Sequence, residues 1–146
     1  LRASIDAGPV TMGDVLSVLP FQNTLATFRI DGAALLAALE NGVSELERGA
    51  GRFPQVAGMR FAVDITAPAG ERIRDVTVGG APLETDRLYG VVSNSFLRAG
   101  GDGYAMLVEA QDAYDFGPDV ADVVVEYLVQ NEPYTPYTDG RISTAE

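Results

Sequence analysis

At 146 residues and 47% apolar composition, the chain has the length of one domain and the make-up of a globular protein. A net charge of −11, from 21 acids against 10 bases that are all Arg, argues against nucleic acid polymers and anionic membranes as partners. Without Cys or His there is no disulfide, no thiolate or imidazole metal site and no imidazole base, and no apolar run reaches the roughly 18 residues of a membrane-spanning helix.

Taken in order, Arg2 to Gly8 reads as a loop, with Arg2 either a phosphate anchor or a surface residue. Thr11-Met12-Gly13-Asp14 opens like a capping box, and Val15, Leu16, Val18 and Leu19 predict a short helix ending at Pro20. Leu19-Pro20-Phe21-Gln22-Asn23 then places a Phe and an amide on a connection, where binding residues concentrate. Leu25 to Ile30 predicts a strand with Ala26, Phe28 and Ile30 on one face. Asp31 is placed to cap a helix whose Leu35, Leu36, Leu39, Val43 and Leu46 form a core stripe. Arg48 to Pro54 reads as a loop around Gly51. Met59, Phe61, Val63 and Ile65 alternate with Arg60, Ala62, Asp64 and Thr66, the pattern of a half-buried strand. Pro68-Ala69-Gly70 turns the chain into a second strand, Arg72 to Val78. Gly79-Gly80 turns it again, and Leu88 to Val92 predicts a third strand.

Asn94 to Tyr104 carries the densest chemistry. Phe96 offers a flat ring, and Gly100, Gly101 and Gly103 surround Asp102. Glycine lets backbone approach a ligand, and a carboxylate can accept two hydroxyls at once. Two readings stand at this point: a site for a ring and a diol, or a tight turn whose Asp bonds its own backbone. Met106 to Val108 is apolar and of unassigned type. Asp112, Asp115, Asp119 and Asp122 do not have the spacing of an EF-hand loop and read as a solvated acidic edge. Pro118 suits a first helical turn. Val120, Val123, Val124, Tyr127 and Leu128 predict a second amphipathic helix, which Pro133 to Pro136 end. Adjacent strands in Met59 to Val78 require antiparallel pairing, and no Rossmann fingerprint is present. The fold class expected is mixed α+β, with helices outside sheet layers.

Leu1-Arg2, Val-Leu-Pro-Phe-x-Asn from Val18, Gly-Arg-Phe-Pro-Gln-Val-Ala-Gly-Met-Arg from Gly51 and Asn-Ser-Phe-x-x-x-Gly-Gly-Asp-Gly-Tyr from Asn94 together resemble the C-terminal domain of 5′-nucleotidases. That family includes periplasmic UDP-sugar hydrolases and surface ecto-5′-nucleotidases, and the resemblance runs from Leu1 to about Ile142. It implies a four-layer α/β/β/α fold over residues 1–146. The start at Leu1, without an initiator Met and inside a family-like motif, suggests a piece of a longer two-domain chain. It implies an N-terminal metallophosphatase domain in cis that holds two divalent metal ions and the catalytic groups, with no catalytic residue, metal or other cofactor in this domain. Phe21 and Phe96 would sandwich the base, Asn23 would bond the base edge and Asp102 the ribose hydroxyls. Arg2 would contact the phosphate, and backbone at Gly51 and Gly101 would lie close to the nucleoside. The glycines that precede the family's phosphate-binding Arg are absent ahead of Arg2. The setting implied is periplasmic or extracellular. Two alternatives remain. One is the same role in a 2′,3′-cyclic phosphodiesterase/3′-nucleotidase, whose stacking residues are usually Tyr. The other is a non-catalytic ligand-binding module. Intact Asp-x-His and Asn-His-Asp/Glu motifs upstream would favour the enzyme.

Overall fold

The computed structural model describes residues 1–145. Its first sheet is built on β1 (Leu25–Asp31), where Ala26, Phe28 and Ile30 are buried and the alternate residues Thr27 and Arg29 face solvent. The strand's period of two sends alternate side chains to opposite faces, so one face alone reaches the core. β1 pairs antiparallel with β5 (Leu88–Asn94) on one side and β6 (Gln111–Tyr114) on the other. The second sheet has the order β4 (Ala81–Pro82), β3 (Ile73–Val78), β2 (Met59–Val63), β7 (Ile142–Thr144). β2 and β3 form the expected antiparallel pair, and β7 returns parallel to β2.

The helix α2 (Gly32–Val43) ties the two sheets together. The Asp31 side chain accepts from the Ala34 N–H at 2.8 Å, so the helix starts where its cap predicts. Leu35 and Ala38 pack with Ala26, Phe28, Ile30, Tyr89, Tyr104 and Leu107. One turn on, Leu39 and Val43 pack with Phe61, Val63 and Ile73. Burying a Leu, Val or Phe of this kind contributes roughly 1.5–3 kcal/mol. The helix α1 (Met12–Val18) begins with a complete capping box, Thr11 to Asp14, and packs against α4 (Val120–Gln130). The result is the expected mixed α+β domain of two sheets and helices.

Several expected details are corrected. α2 stops at Val43, and Leu46 instead starts a short 3₁₀ turn that ends at Gly49 in the left-handed conformation. The alternation over β2 does not hold: a register shift after Arg60 leaves Phe61, Ala62 and Val63 all buried. Ile65 is 62% exposed, because the Asp64 carboxylate accepts from the Thr66 N–H, the Thr66 hydroxyl and the Ala67 N–H and turns the chain out of the strand. Arg72 precedes β3 and is buried, donating to the Ala67 and Val43 carbonyls and paired with Glu47. The acidic edge is solvated at Asp112, in β6 and 3.7 Å from Arg29, and at Asp122, while Asp119 is half-buried and caps α4 through the Ala121 N–H. Pro118 therefore sits ahead of the cap and outside the first turn.

Candidate functional site

The chain leaving α1 and the chain leaving β5 meet at one residue pair. The Ser95 N–H donates to the Thr24 carbonyl at 2.8 Å, and the Thr24 N–H donates to Ser95 Oγ at 3.1 Å. This stitch holds the 20–24 connection beside α3 (Ser95–Arg98), which Asn94 caps by accepting from the Leu97 N–H at 2.9 Å. Along the chain, Phe21 precedes Thr24 and Phe96 follows Ser95. Phe21 is 47% exposed and Phe96 is 48% exposed, so neither ring belongs to the core.

Arg2 and Gly101 each contact one of these rings. The Arg2 guanidinium lies over the Phe21 ring, 5.3 Å from its centroid, a cation–π contact rather than an ion pair. Arg2 is held there by its own N–H, which donates to the Val18 carbonyl at 3.0 Å. Asn23 is half-buried and its backbone carbonyl accepts from Val120 at 2.9 Å, while its side-chain amide makes no hydrogen bond among the described residues. A shallow groove of about 460 Å³ takes in Leu16, Leu19, Phe21 and Asp122 but reaches neither Phe96 nor Asp102.

After α3 the chain turns through Gly100 at φ 90°, Asp102 at φ 52° and Gly103 at φ 82°. Asp102 is exposed, and its carboxylate makes no hydrogen bond among the described residues. It does not close its own turn. Two of the flanking glycines have a reason within the fold. A Cβ on Gly101 would lie 2.5 Å from the Phe96 ring, so the bare backbone lets that ring rest against the turn. A Cβ on Gly103 would lie 2.7 Å from Asn41 Oδ1. Gly51 differs: it is exposed, and a Cβ there would meet nothing within 4 Å. Its loop reaches the Asp102 turn through Tyr104, whose hydroxyl donates to the Arg52 carbonyl at 2.7 Å. Burial, and next the nearby Asp102 charge, push the Tyr104 phenol above its ordinary range.

Arg2 thus lies over Phe21, the 20–24 connection is tied to Ser95 next to Phe96, Gly101 packs against the Phe96 ring, and the loop after Gly51 is tied to Tyr104. Asn41, Arg52 and Tyr104 were not among the residues expected to matter here. The available signal was Asn41, a polar residue of low helix propensity inside an apolar helix. Among the described residues no group of three or more Asp or Glu side chains could hold a metal ion, so these residues do not fit a two-metal centre.

Residues 1–109 match the family described as 5′-nucleotidase, C-terminal domain. The chain belongs to this family. It is 37% identical over 148 residues to the trifunctional nucleotide phosphoesterase protein YfkN of Bacillus subtilis, covering 97% of this chain and 10% of that protein. It is 32% identical over 155 residues to a snake venom 5′-nucleotidase of Macrovipera lebetinus, covering 98% of this chain and 38% of the relative. The crystal structure of a 5′-nucleotidase precursor from Thermus thermophilus superposes with a TM-score of 0.95 at 45% identity, covering 99% of this chain and 30% of that one. This 5′-nucleotidase C-terminal domain therefore spans well under half the length of these relatives. Among its described residues no helix is long and apolar enough to cross a membrane.

Proposed function

We propose that this domain is the substrate-recognition half of a metal-dependent 5′-nucleotidase, which hydrolyses nucleoside 5′-phosphates to nucleoside and phosphate. The observation that carries the reading is the Asp102 turn: an exposed carboxylate without an internal partner, next to an exposed Phe96 ring, stitched to the loop of Phe21 and Asn23. In this reading Phe21 and Phe96 stack the base, and Asn23 bonds its edge with the amide that the fold leaves free. Asp102 accepts from the ribose hydroxyls, and Arg2 moves from Phe21 to the phosphate. Backbone at Gly51 lies along the base, where no side chain obstructs it. The chemistry belongs to a partner domain in cis, whose two divalent ions would supply an activated water. This domain contributes by holding the phosphorus in place, since orientation alone lowers the barrier substantially. The snake venom relative supports a secreted setting.

A second reading, a wider range of nucleotide phosphoesters, is favoured by the trifunctional name of the Bacillus subtilis relative. The test is a calorimetric titration of the chain with adenosine and 2′-deoxyadenosine, for wild type and Asp102→Ala. A preference for the ribonucleoside worth roughly 1.5–3 kcal/mol, lost in the variant, is expected from a charge-assisted hydrogen bond. An unchanged ratio would retire the ribose role. The chain alone is expected to release no phosphate from AMP with added Zn²⁺ or Mn²⁺, and robust release by pure material would contradict the division of labour.

A further inference from the structure

The Asp102 turn is held from behind by the last turn of α2. Asn41 Nδ2 donates to the Asp102 carbonyl at 3.1 Å, and Asn41 Oδ1 faces Arg52 Nη1 at 3.5 Å. Arg52 is anchored on the same helix end by Glu45 at 3.1 Å and by Ser44 Oγ at 3.4 Å. On its backbone side Arg52 accepts from the Tyr104 hydroxyl at 2.7 Å. Glycines allow this close assembly: a Cβ on Gly42 would lie 2.6 Å from Pro54 and 2.9 Å from Tyr104 Oη. One network thus joins the loop of Gly51 to the turn of Asp102, and none of its hydrogen bonds uses the Asp102 carboxylate.

Asp102 sits at φ 52°, a left-handed conformation that Asp adopts more readily than most residues with a side chain, though still at some cost. Among the described residues, the hydrogen bond that supports this conformation from outside the turn comes from Asn41. We infer that Asn41 and Arg52 are positioning residues for nucleoside recognition: Asn41 fixes the conformation that presents the Asp102 carboxylate, and Arg52 locks the Gly51 loop to it. Ribose and base contacts are then set by one support rather than two. The inference rests on the nucleoside reading of Phe21, Phe96 and Asp102.

The experiment combines amide NMR spectra of the ligand-free chain with titrations of adenosine and 2′-deoxyadenosine. Asn41→Ala is expected to shift amides in both the 49–54 and the 100–104 segments while the chain stays folded. It should also lower the adenosine/2′-deoxyadenosine affinity ratio by roughly 3- to 10-fold, the effect of one neutral hydrogen bond. A purely structural role would weaken both nucleosides equally and leave the ratio alone. Shifts confined to α2 with an unchanged ratio would overturn the inference. Asn41→Asp guards against misfolding: it keeps an oxygen facing Arg52 and replaces the donor to Asp102 with a charged acceptor that repels the Asp102 carbonyl. It should move the 100–104 amides further than the 49–54 amides and lower the ratio, and unmoved 100–104 amides would overturn the positioning role. If wild type shows no ribose preference, the ribose reading fails by itself, and the ligand-free spectra still decide whether Asn41 couples the two segments.

Discussion

Gly51 stands in open space: a Cβ there meets nothing within 4 Å, and its φ lies outside the left-handed region. Gly101 and Gly103 stand against the chain itself, one under the Phe96 ring and one beside Asn41. Both regions are expected to line the nucleoside, yet only one has glycine for reasons the fold does not supply. The difference teaches how to weigh glycine as a sign of a binding site. A glycine that internal packing requires says little about a ligand, whereas one with no internal requirement leaves room for something outside the chain.

Substitution breaks the comparison most sharply at Gly103. Gly103→Ala puts a side chain at a left-handed φ and pushes the Asn41 amide aside, and should cost on the order of 1–3 kcal/mol in denaturant unfolding. A loss no larger than that of an ordinary surface substitution would show that the turn has no such internal constraint. Of similar size is the effect at Phe96. Because its ring is half exposed, Phe96→Ala should change stability little, while nucleoside affinity falls by roughly 1–3 kcal/mol, the value of one stacked base. The reverse pattern, lost stability with unchanged affinity, would make Phe96 a packing residue for Gly101. Gly51→Ala sharpens the comparison from the other side. Unfolding stability should stay within about 0.5 kcal/mol of wild type, while affinity for adenosine drops. Equal affinity would remove Gly51 from the site.

The smallest effect expected lies away from both loops, at the start of α1. The Thr11 hydroxyl, and next the Thr11 N–H, hold the Asp14 carboxyl below its ordinary range. A carboxylate whose pKa is depressed on folding stabilises above its unfolded pKa, and that contribution fades as pH falls through the folded value. Asp14→Asn should therefore flatten the acid side of the stability–pH curve and leave the ribose preference unaltered. An altered preference would mean that α1 and the connection after it move the site as a unit.

The parts of the fold that were legible in sequence are those decided by local pattern. Asp31 and the Leu stripe specify α2, and Ala26, Phe28 and Ile30 specify β1, because period and capping act within a few residues. β6 escaped notice because Gln111-Asp112-Ala113-Tyr114 has no apolar alternation: its four residues are all exposed, and pairing with β1 alone makes it a strand. Ile65 read as the end of β2 because alternation is blind to Asp64, whose side chain captures the following amides. Phe21, Asn23, Phe96 and Asp102, the residues of the proposed site, stand in motifs that the sequence carries. Asn41 could not be singled out in this way, since its partners lie at Arg52 and Asp102 and only the tertiary fold brings them together.

The central claim is that the two exposed rings and the unpartnered carboxylate form one nucleoside site. A crystal structure of the chain with adenosine tests it most directly. The base is expected to lie between Phe21 and Phe96, with the rings about 7 Å apart, twice the optimal carbon–carbon contact. The 2′ and 3′ hydroxyls are expected within hydrogen-bond distance of the Asp102 carboxylate. Adenosine bound in the groove beside Leu16 and Asp122, with Phe96 and Asp102 free of it, would contradict the account.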